Sequence, residues 1–282
     1  MKHIEYKWNS YDNLNIFAQS WEPETINPKA IICLIHGLGE HTSRYIHVAK
    51  AFCDAGYILF GADLRGHGLS DGQRGHFSSI EVVMKDIDIL LEKANENYPD
   101  LPKILYGHSM GAVLVLYYSL KNIPDVKGVI ATSPGLHNAL SKQPFKVIAA
   151  KVLGSIISSL SINSGLEVKS MSRDKKVLDE VYNDPLYHFK VSLGFGKIML
   201  NVTEWTMKHS GEFKLPLLLM HGKADRLAYP SSSIDFAKSI KENCELILWE
   251  EAYHELHNEP EKQEVLNKII NWIDILLNVH PD

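Results

Sequence analysis

A chain of 282 residues with 45% hydrophobic content can bury one large core, or one core with a small appended domain. A net charge of -5 without any long Lys/Arg block excludes the electrostatic footprint of a nucleic-acid binder. Three widely spaced cysteines with no CxxC pair argue against a disulfide framework or zinc site, and no apolar run is long enough to span a bilayer.

The first residues, MKHIEYKWNSYDN, lack the apolar core of a secretory signal, which leads us to expect a cytoplasmic protein. Residues 4–8 and 15–21, rich in aromatic and β-branched types, predict an opening hairpin around the polar SYDN. Strand-length apolar runs then recur at 30–35, 57–62, 103–106, 128–132, 215–220 and 245–249, most of them alternating with helix-like segments. That alternation predicts an α/β fold, a mostly parallel central sheet flanked by helices. The spacing of Ile80, Val83, Met84, Ile87, Leu90, Leu91 and Ala94 predicts a helix over 79–98, with Ser78 and Glu81 as its capping box. A second amphipathic pattern, Val265, Ile269, Ile270, Ile273 and Leu276, closes the chain. Between 134 and 214 the strand rhythm stops for too long to be a structureless loop, so an inserted helical cap is expected there. The catalytic domain would then comprise residues 1–133 and 215–282.

Chemistry concentrates at YGHSMGA. Gly107-His108-Ser109-Met110-Gly111 fits G-x-S-x-G, with a strand (KILY) before it and a helix-like stretch (AVLVLYYSL) after it. In such an elbow a serine hydroxyl projects from the sheet edge at a helix N-terminus. A flexible Gly/Ser loop is the plain alternative, and the flanking elements disfavour it. Hydroxyl nucleophiles need a base, and in this arrangement an acid precedes a histidine downstream. Asp225 follows one strand in HGKADRLAYP, and His254 follows the next in EEAYHELHNEP. His254 is the expected general base, Asp225 its orienting acid, and His257 the rival base. Backbone N–H groups of Met110 and of Leu38, in the loop HGLGEHTSRY, are the candidate oxyanion donors.

Taken in order, HGLGEHTSRY, DLRGHGLSDGQRGH, YPDLPKILYGHSMGA, NDPL, HGKADRL and EEAYHELHNE resemble the blocks of the α/β-hydrolase fold, and within it the monoacylglycerol lipase and lysophospholipase-like group. The resemblance runs from about residue 30 to 272 and is weakest in the insert. It implies Ser109, Asp225 and His254 as a catalytic triad, Leu38 and Met110 as the oxyanion hole, and no cofactor. It also implies that Glu40, Arg44, His108 and His257 form a polar network where a glycerol head sits, with loop pinning by Glu40 and Arg44 as the alternative. The implied activity is release of a fatty acid from a monoacylglycerol through an acyl-enzyme on Ser109. Lysophospholipase, general carboxylesterase or thioesterase activity remain alternatives. A catalytically inactive ligand-binding homologue is the alternative of another class.

In the insert, PFKVIAAKVLGSIISSLSIN places Ile148, Val152, Leu153, Ile156, Ile157 and Leu160 along one helical stripe. Ile148, Val152 and Ile156 are expected to roof an acyl chain, with core packing and transient membrane-surface contact as alternatives. Asp184-Pro185-Leu186 is read as an extended proline turn that ends the cap and has no catalytic role. No metal site is expected, because His254 and His257 are three apart rather than the four of HExxH. Gly37-Leu38-Gly39 lacks the third small residue of a dinucleotide fingerprint. A serine at 109 also argues against dehalogenases and epoxide hydrolases, which carry Asp there.

Overall fold

A computed structural model describes residues 1–25, 27–137, 152–240 and 242–278. Among the described residues, eight of the ten strands are built from the opening hairpin and the apolar runs noted above. The opening hairpin is β1 (Lys2–Asn9) and β2 (Asn15–Glu22), followed by β3 (Ala30–Ile35), β4 (Tyr57–Ala62), β5 (Lys103–His108) and β6 (Gly128–Thr132). Within the insert lie the short β7 (Ser161–Asn163) and β8 (Lys190–Ser192), and β9 (Leu217–Gly222) and β10 (Cys244–Trp249) complete the set.

Eight strands form one sheet in the order β1-β2-β4-β3-β5-β6-β9-β10. β1, β2 and β4 pair antiparallel, whereas every pairing from β4 through β10 is parallel. All residues of β3, β4, β6 and β9 are buried, as expected of strands covered on both faces. One face carries a core built with α1 (Ile46–Asp54) and the C-terminal helix Lys262–Leu276. The other carries a core built with α2 (Ile80–Asn97), α3 (Met110–Asn122) and the helix Leu193–Lys208. This is the doubly wound sheet that the alternating pattern predicts.

From β3 the chain crosses to β4 on one side and then returns to β5 on the other. Such a reversal opens a crevice beyond the carboxyl ends of the strands, the general place for a ligand in an open parallel sheet. The polar candidates Glu40, Arg44, His108, Ser109, Asp225, His254 and His257, with Leu38 and Met110, lie at or just after the ends of β3, β5, β9 and β10, so the topology delivers these to that one edge.

Two local expectations are corrected. α2 takes Ser79 as its N-cap rather than Ser78, so the box with Glu81 does not form: Ser79 is already extended, at φ -158 and ψ 171, and the helix starts at Ile80. Nor is Asp184-Pro185-Leu186 the last element before β9, because β8 and the helix Leu193–Lys208 follow it. A helix interrupted by Gly194 and Gly196 gives a weak sequence pattern, yet it packs on α3 with Phe195 and Val202 buried. Among the described residues, no helix is long and apolar enough to cross a membrane.

Candidate active site

Ser109 joins β5 to α3 with φ 53 and ψ -114, a backbone conformation a side chain rarely adopts. The strain is sustained because both neighbouring elements are locked in the core. Ser109 N–H donates to Thr132 O at 2.9 Å, and Val113 N–H donates to Ser109 O at 3.1 Å. Gly111 is required by close approach: any Cβ there would collide with the Ile35 carbonyl at the end of β3. The turn therefore sits against the β3 loop with its hydroxyl at the N-terminus of α3, where aligned peptide dipoles favour developing negative charge.

Ser109 Oγ donates to His254 Nε2 at 2.7 Å. On the far side of the ring, His254 Nδ1–H donates to Asp225 Oδ2 at 2.7 Å. The three residues come from the loops after β5, β9 and β10, and Ala224 N–H donates to Ala252 O at 3.1 Å, lashing the latter two loops together. Asp225 Oδ1 accepts from the Leu227 and Ala228 N–H groups at 2.8 and 3.0 Å. Burial alone would raise the carboxyl, but His254 and His221 beside it hold it well below the usual carboxylate range. Burial likewise opposes protonation of His254, yet the Asp225 charge beside it outweighs this and leaves its pKa above the ordinary imidazole value.

His257, the rival base, makes no hydrogen bond to Ser109. Its ring is fully buried, lies between Tyr45 and His47, and packs edge-on to His108. His108 is also buried; its Nδ1 faces Thr132 Oγ1 at 3.1 Å and its ring centre lies 5.1 Å from that of His254.

The loop after β3 closes over the serine. A Cβ on Gly37 would stand 3.2 Å from Ser109 Cβ, so the start of this loop lies against the serine. Met110, directly after Ser109, opens α3. Glu40 holds the loop: its Oε1 accepts from the Gly37 N–H and, at 2.9 Å, from Tyr45 O–H. Its Oε2 is buried without a hydrogen-bond partner among the described residues, with Arg44 Nε at 3.9 Å. Burial, then the neighbouring Glu255 charge, push Glu40 up to about 7 against the pull of Arg44.

Arg44 gathers more than the sequence suggested. It faces Glu255 Oε2 at 3.5 Å and Asp184 Oδ2 at 4.0 Å, and its guanidinium lies 5.3 Å from the centre of the Tyr187 ring. Asp184 also lies 2.8 Å from His41 Nε2. The proline turn of the insert is thus part of the polar wall beside the site. Sequence reasoning also missed His221, whose Nε2 lies 3.1 Å from Asp225 Oδ2. The available signal was its place four residues before the acid, at the end of β9.

Val152 and Ile156 are 52% and 73% exposed, and Leu153, Ile157 and Leu160 are exposed with them. Ile148 lies outside the described residues.

The family model described as serine aminopeptidase, S33 (Hydrolase_4) matches residues 26–261. The chain is 37% identical over 265 residues to an uncharacterized abhydrolase domain-containing protein of Dictyostelium discoideum, and spans 93% of this chain but 28% of that protein. With the monoglyceride lipase of Homo sapiens it shares 33% identity over 269 residues, covering 94% of this chain and 87% of the human one. The crystal structure of a Paleococcus ferrophilus monoacylglycerol lipase superposes with a TM-score of 0.82 at 31% identity, over 99% of both chains.

Proposed function

Because the chain belongs to the serine aminopeptidase S33 (Hydrolase_4) family of α/β-hydrolases, we propose that it hydrolyses monoacylglycerols through an acyl-enzyme on Ser109. Serine ester hydrolysis is the chemistry of the group, and the observation that carries the residue assignment is the unbroken line from Ser109 Oγ through His254 to Asp225, with both links at 2.7 Å. In this reading Ser109 attacks the ester carbonyl while His254 Nε2 takes its proton. Asp225 keeps the His254 proton on Nδ1 and stabilises the imidazolium. The Leu38 and Met110 N–H groups receive the oxyanion, next to the N-terminus of α3. His254 then protonates the leaving glycerol oxygen, and water activated by the same ring releases the fatty acid.

A polyol leaving group is favoured by what surrounds the serine. Glu40 Oε2, Arg44 Nε and both ring nitrogens of His257 are buried and without hydrogen-bond partners among the described residues. Hydroxyls are both donors and acceptors, so a glycerol head would satisfy such a mixed set, whereas a plain alkyl ester would leave it unpaired. Glu40 can serve in two ways at once, pinning the loop through Oε1 and presenting Oε2 to the head.

We further read residues 134–214 as a cap on the catalytic domain 1–133 and 215–282. The exposed run Val152, Leu153, Ile156, Ile157 and Leu160 supplies an apolar surface on that cap. Transient contact with a lipid interface, from which single-chain esters are drawn, is the use we assign to it.

The decisive experiment is paired. Wild-type protein and Ser109→Ala are treated with a fluorophosphonate and assayed on 1-monoacylglycerols of increasing chain length, lysophosphatidylcholine and a diacylglycerol. Labelling of wild type alone, with monoacylglycerol the preferred substrate, is the expected result. Turnover surviving in Ser109→Ala would remove the mechanism, and a preference for the lysophospholipid would replace the substrate.

A further inference from the structure

His221 is the penultimate residue of β9, fully buried, and every polar atom of its ring is engaged. Its Nδ1 lies 2.7 Å from Ser233 Oγ, on the helix Pro230–Ser239. Its Nε2 lies 3.1 Å from both Asp225 Oδ2 and the Ala228 carbonyl oxygen. A carbonyl only accepts, and so does an ionised carboxylate. Nε2 must therefore carry a proton, while Nδ1 faces the Ser233 hydroxyl, which can donate or accept.

Asp225 Oδ2 consequently receives two imidazole N–H groups, His254 Nδ1–H at 2.7 Å and His221 Nε2–H at 3.1 Å. The lone pairs of one oxygen are shared between a catalytic partner and a fixed strut. We propose that His221 is a positioning residue for the hydrolytic reaction, holding Asp225 Oδ2 in line with His254 and moderating the negative charge that His254 senses.

This rests on the triad assignment above and makes two demands of its own. Without the second donor Oδ2 is held by His254 alone, while Oδ1 keeps its two backbone donors, so the line from Oδ2 to the His254 ring is less well held and turnover falls. The charge on Oδ2 is also less shared, so the His254 imidazolium is stabilised more and the acid limb of the rate profile moves to higher pH. A purely structural role predicts lost protein or lost turnover, and no displaced limb. The other titratable groups facing His254 are Glu255 and His257 on its own loop, Glu40 from the loop after β3 and His108 at the end of β5. None of them touches His221 by hydrogen bond or ring contact, so a change at 221 leaves that set in place.

The test compares His221→Gln, His221→Asn and His221→Leu with wild type, following kcat and kcat/KM for a soluble short-chain ester from pH 5 to 9. Gln places an amide N–H near the position of Nε2; Asn withdraws it, and Leu abolishes it. The expected result is a limb displaced upward by about 0.5 to 1 unit in Asn and Leu, with kcat lower by about 10-fold and KM little changed. Gln restores the wild-type limb. Folded Asn or Leu protein with an unmoved limb overturns the proposal. So does failure of both to fold while Gln folds, since that assigns His221 to packing alone. Ser109→Ala, run in parallel, separates the two readings: activity persisting there removes the triad assignment itself, whereas an unmoved limb in the His221 variants removes only the strut.

Discussion

Arg173, from the insert, lies against Glu259, five residues after His254: its Nε donates to Glu259 Oε2 at 2.5 Å and its backbone N–H to Oε1 at 3.0 Å. Glu259 is fully buried, and Arg173 meets both of its carboxylate oxygens. Neighbouring bonds make the same connection, with Glu255 N–H donating to Met171 O and Ser172 O–H to Asn258 O, both at 2.8 Å. The loop carrying the histidine is therefore clasped by residues 171–173, from the middle of the insert. Arg173→Met is expected to strand a buried carboxylate and lower stability by about 2–3 kcal/mol, less than for a fully enclosed pair because the arginine is 24% exposed. Urea denaturation checks this; an unchanged midpoint would show that Glu259 is satisfied without Arg173. Arg173→Lys should recover only part of the loss, because an ammonium cannot serve the backbone-fixed carboxylate with a planar fork.

Backbone strain at Ser109 gives a separable prediction. Alanine and glycine at this position both remove the hydroxyl, so both should be inactive. They differ in what φ 53 costs, since glycine adopts it freely and alanine does not. Ser109→Gly should exceed Ser109→Ala in stability by about 1 kcal/mol, after allowing for the greater entropy of glycine in the unfolded chain. Thermal melts of the two variants decide it, and equal midpoints would mean that the elbow relaxes when the serine is lost.

Ile156 is 73% exposed at the centre of the apolar run on the insert. Replacing it with lysine changes little packing, so stability should stay within about 0.5 kcal/mol. Activity on monoacylglycerol in neutral phosphatidylcholine vesicles should fall several-fold as the apolar face weakens its hold on the interface. Hydrolysis of a soluble short-chain ester should not change. Equal losses on both substrates would place Ile156 in the route to the serine rather than at the interface.

Much of this architecture is legible in the residues because parallel strands buried on both faces write themselves as unbroken apolar runs. The runs at 30–35, 57–62 and 128–132 have the same limits in the fold. The serine elbow was legible for a related reason: it needs a strand, a small-residue turn and a helix in immediate succession. Contacts that depend on tertiary approach were not. His221 reads as an ordinary strand residue until β9 is set beside the helix Pro230–Ser239, and Arg173 as a surface cation until the insert meets the His254 loop. The stripe of 152–160 shows the limit of periodicity, since a spacing identifies an apolar face without saying what covers it. Val152 and Ile156 belong to that face and are exposed.

Buried neutral histidines make the fold sensitive to acid. His36 Nδ1–H donates to Gly37 O at 2.8 Å, and Nε2 accepts from Leu64 N–H at 2.9 Å, so a second ring proton would face a donor. Burial pushes His36 down to about 4 and holds His67, His108 and His257 well below the ordinary imidazole value. In the unfolded chain the same rings titrate near the ordinary value of about 6.5. Below that pH the unfolded state takes up protons the native state refuses, so stability is full above it and is lost as pH falls towards 4. Each such histidine contributes a slope of about 1.4 kcal/mol per pH unit within the window. Glu40 works the opposite way, since its raised pKa keeps a proton in the native state that the unfolded chain has released, and one carboxyl offsets one of the four rings. Urea midpoints should therefore be level above about pH 7.5 and fall steadily from 6.5 to 4.5. His67 offers the cleanest check, because its Nδ1–H donates to Arg65 O at 3.1 Å while its Nε2 has no partner among the described residues. His67→Phe should reduce the acid slope by about one proton; a slope unchanged in that variant would move the titration to other groups.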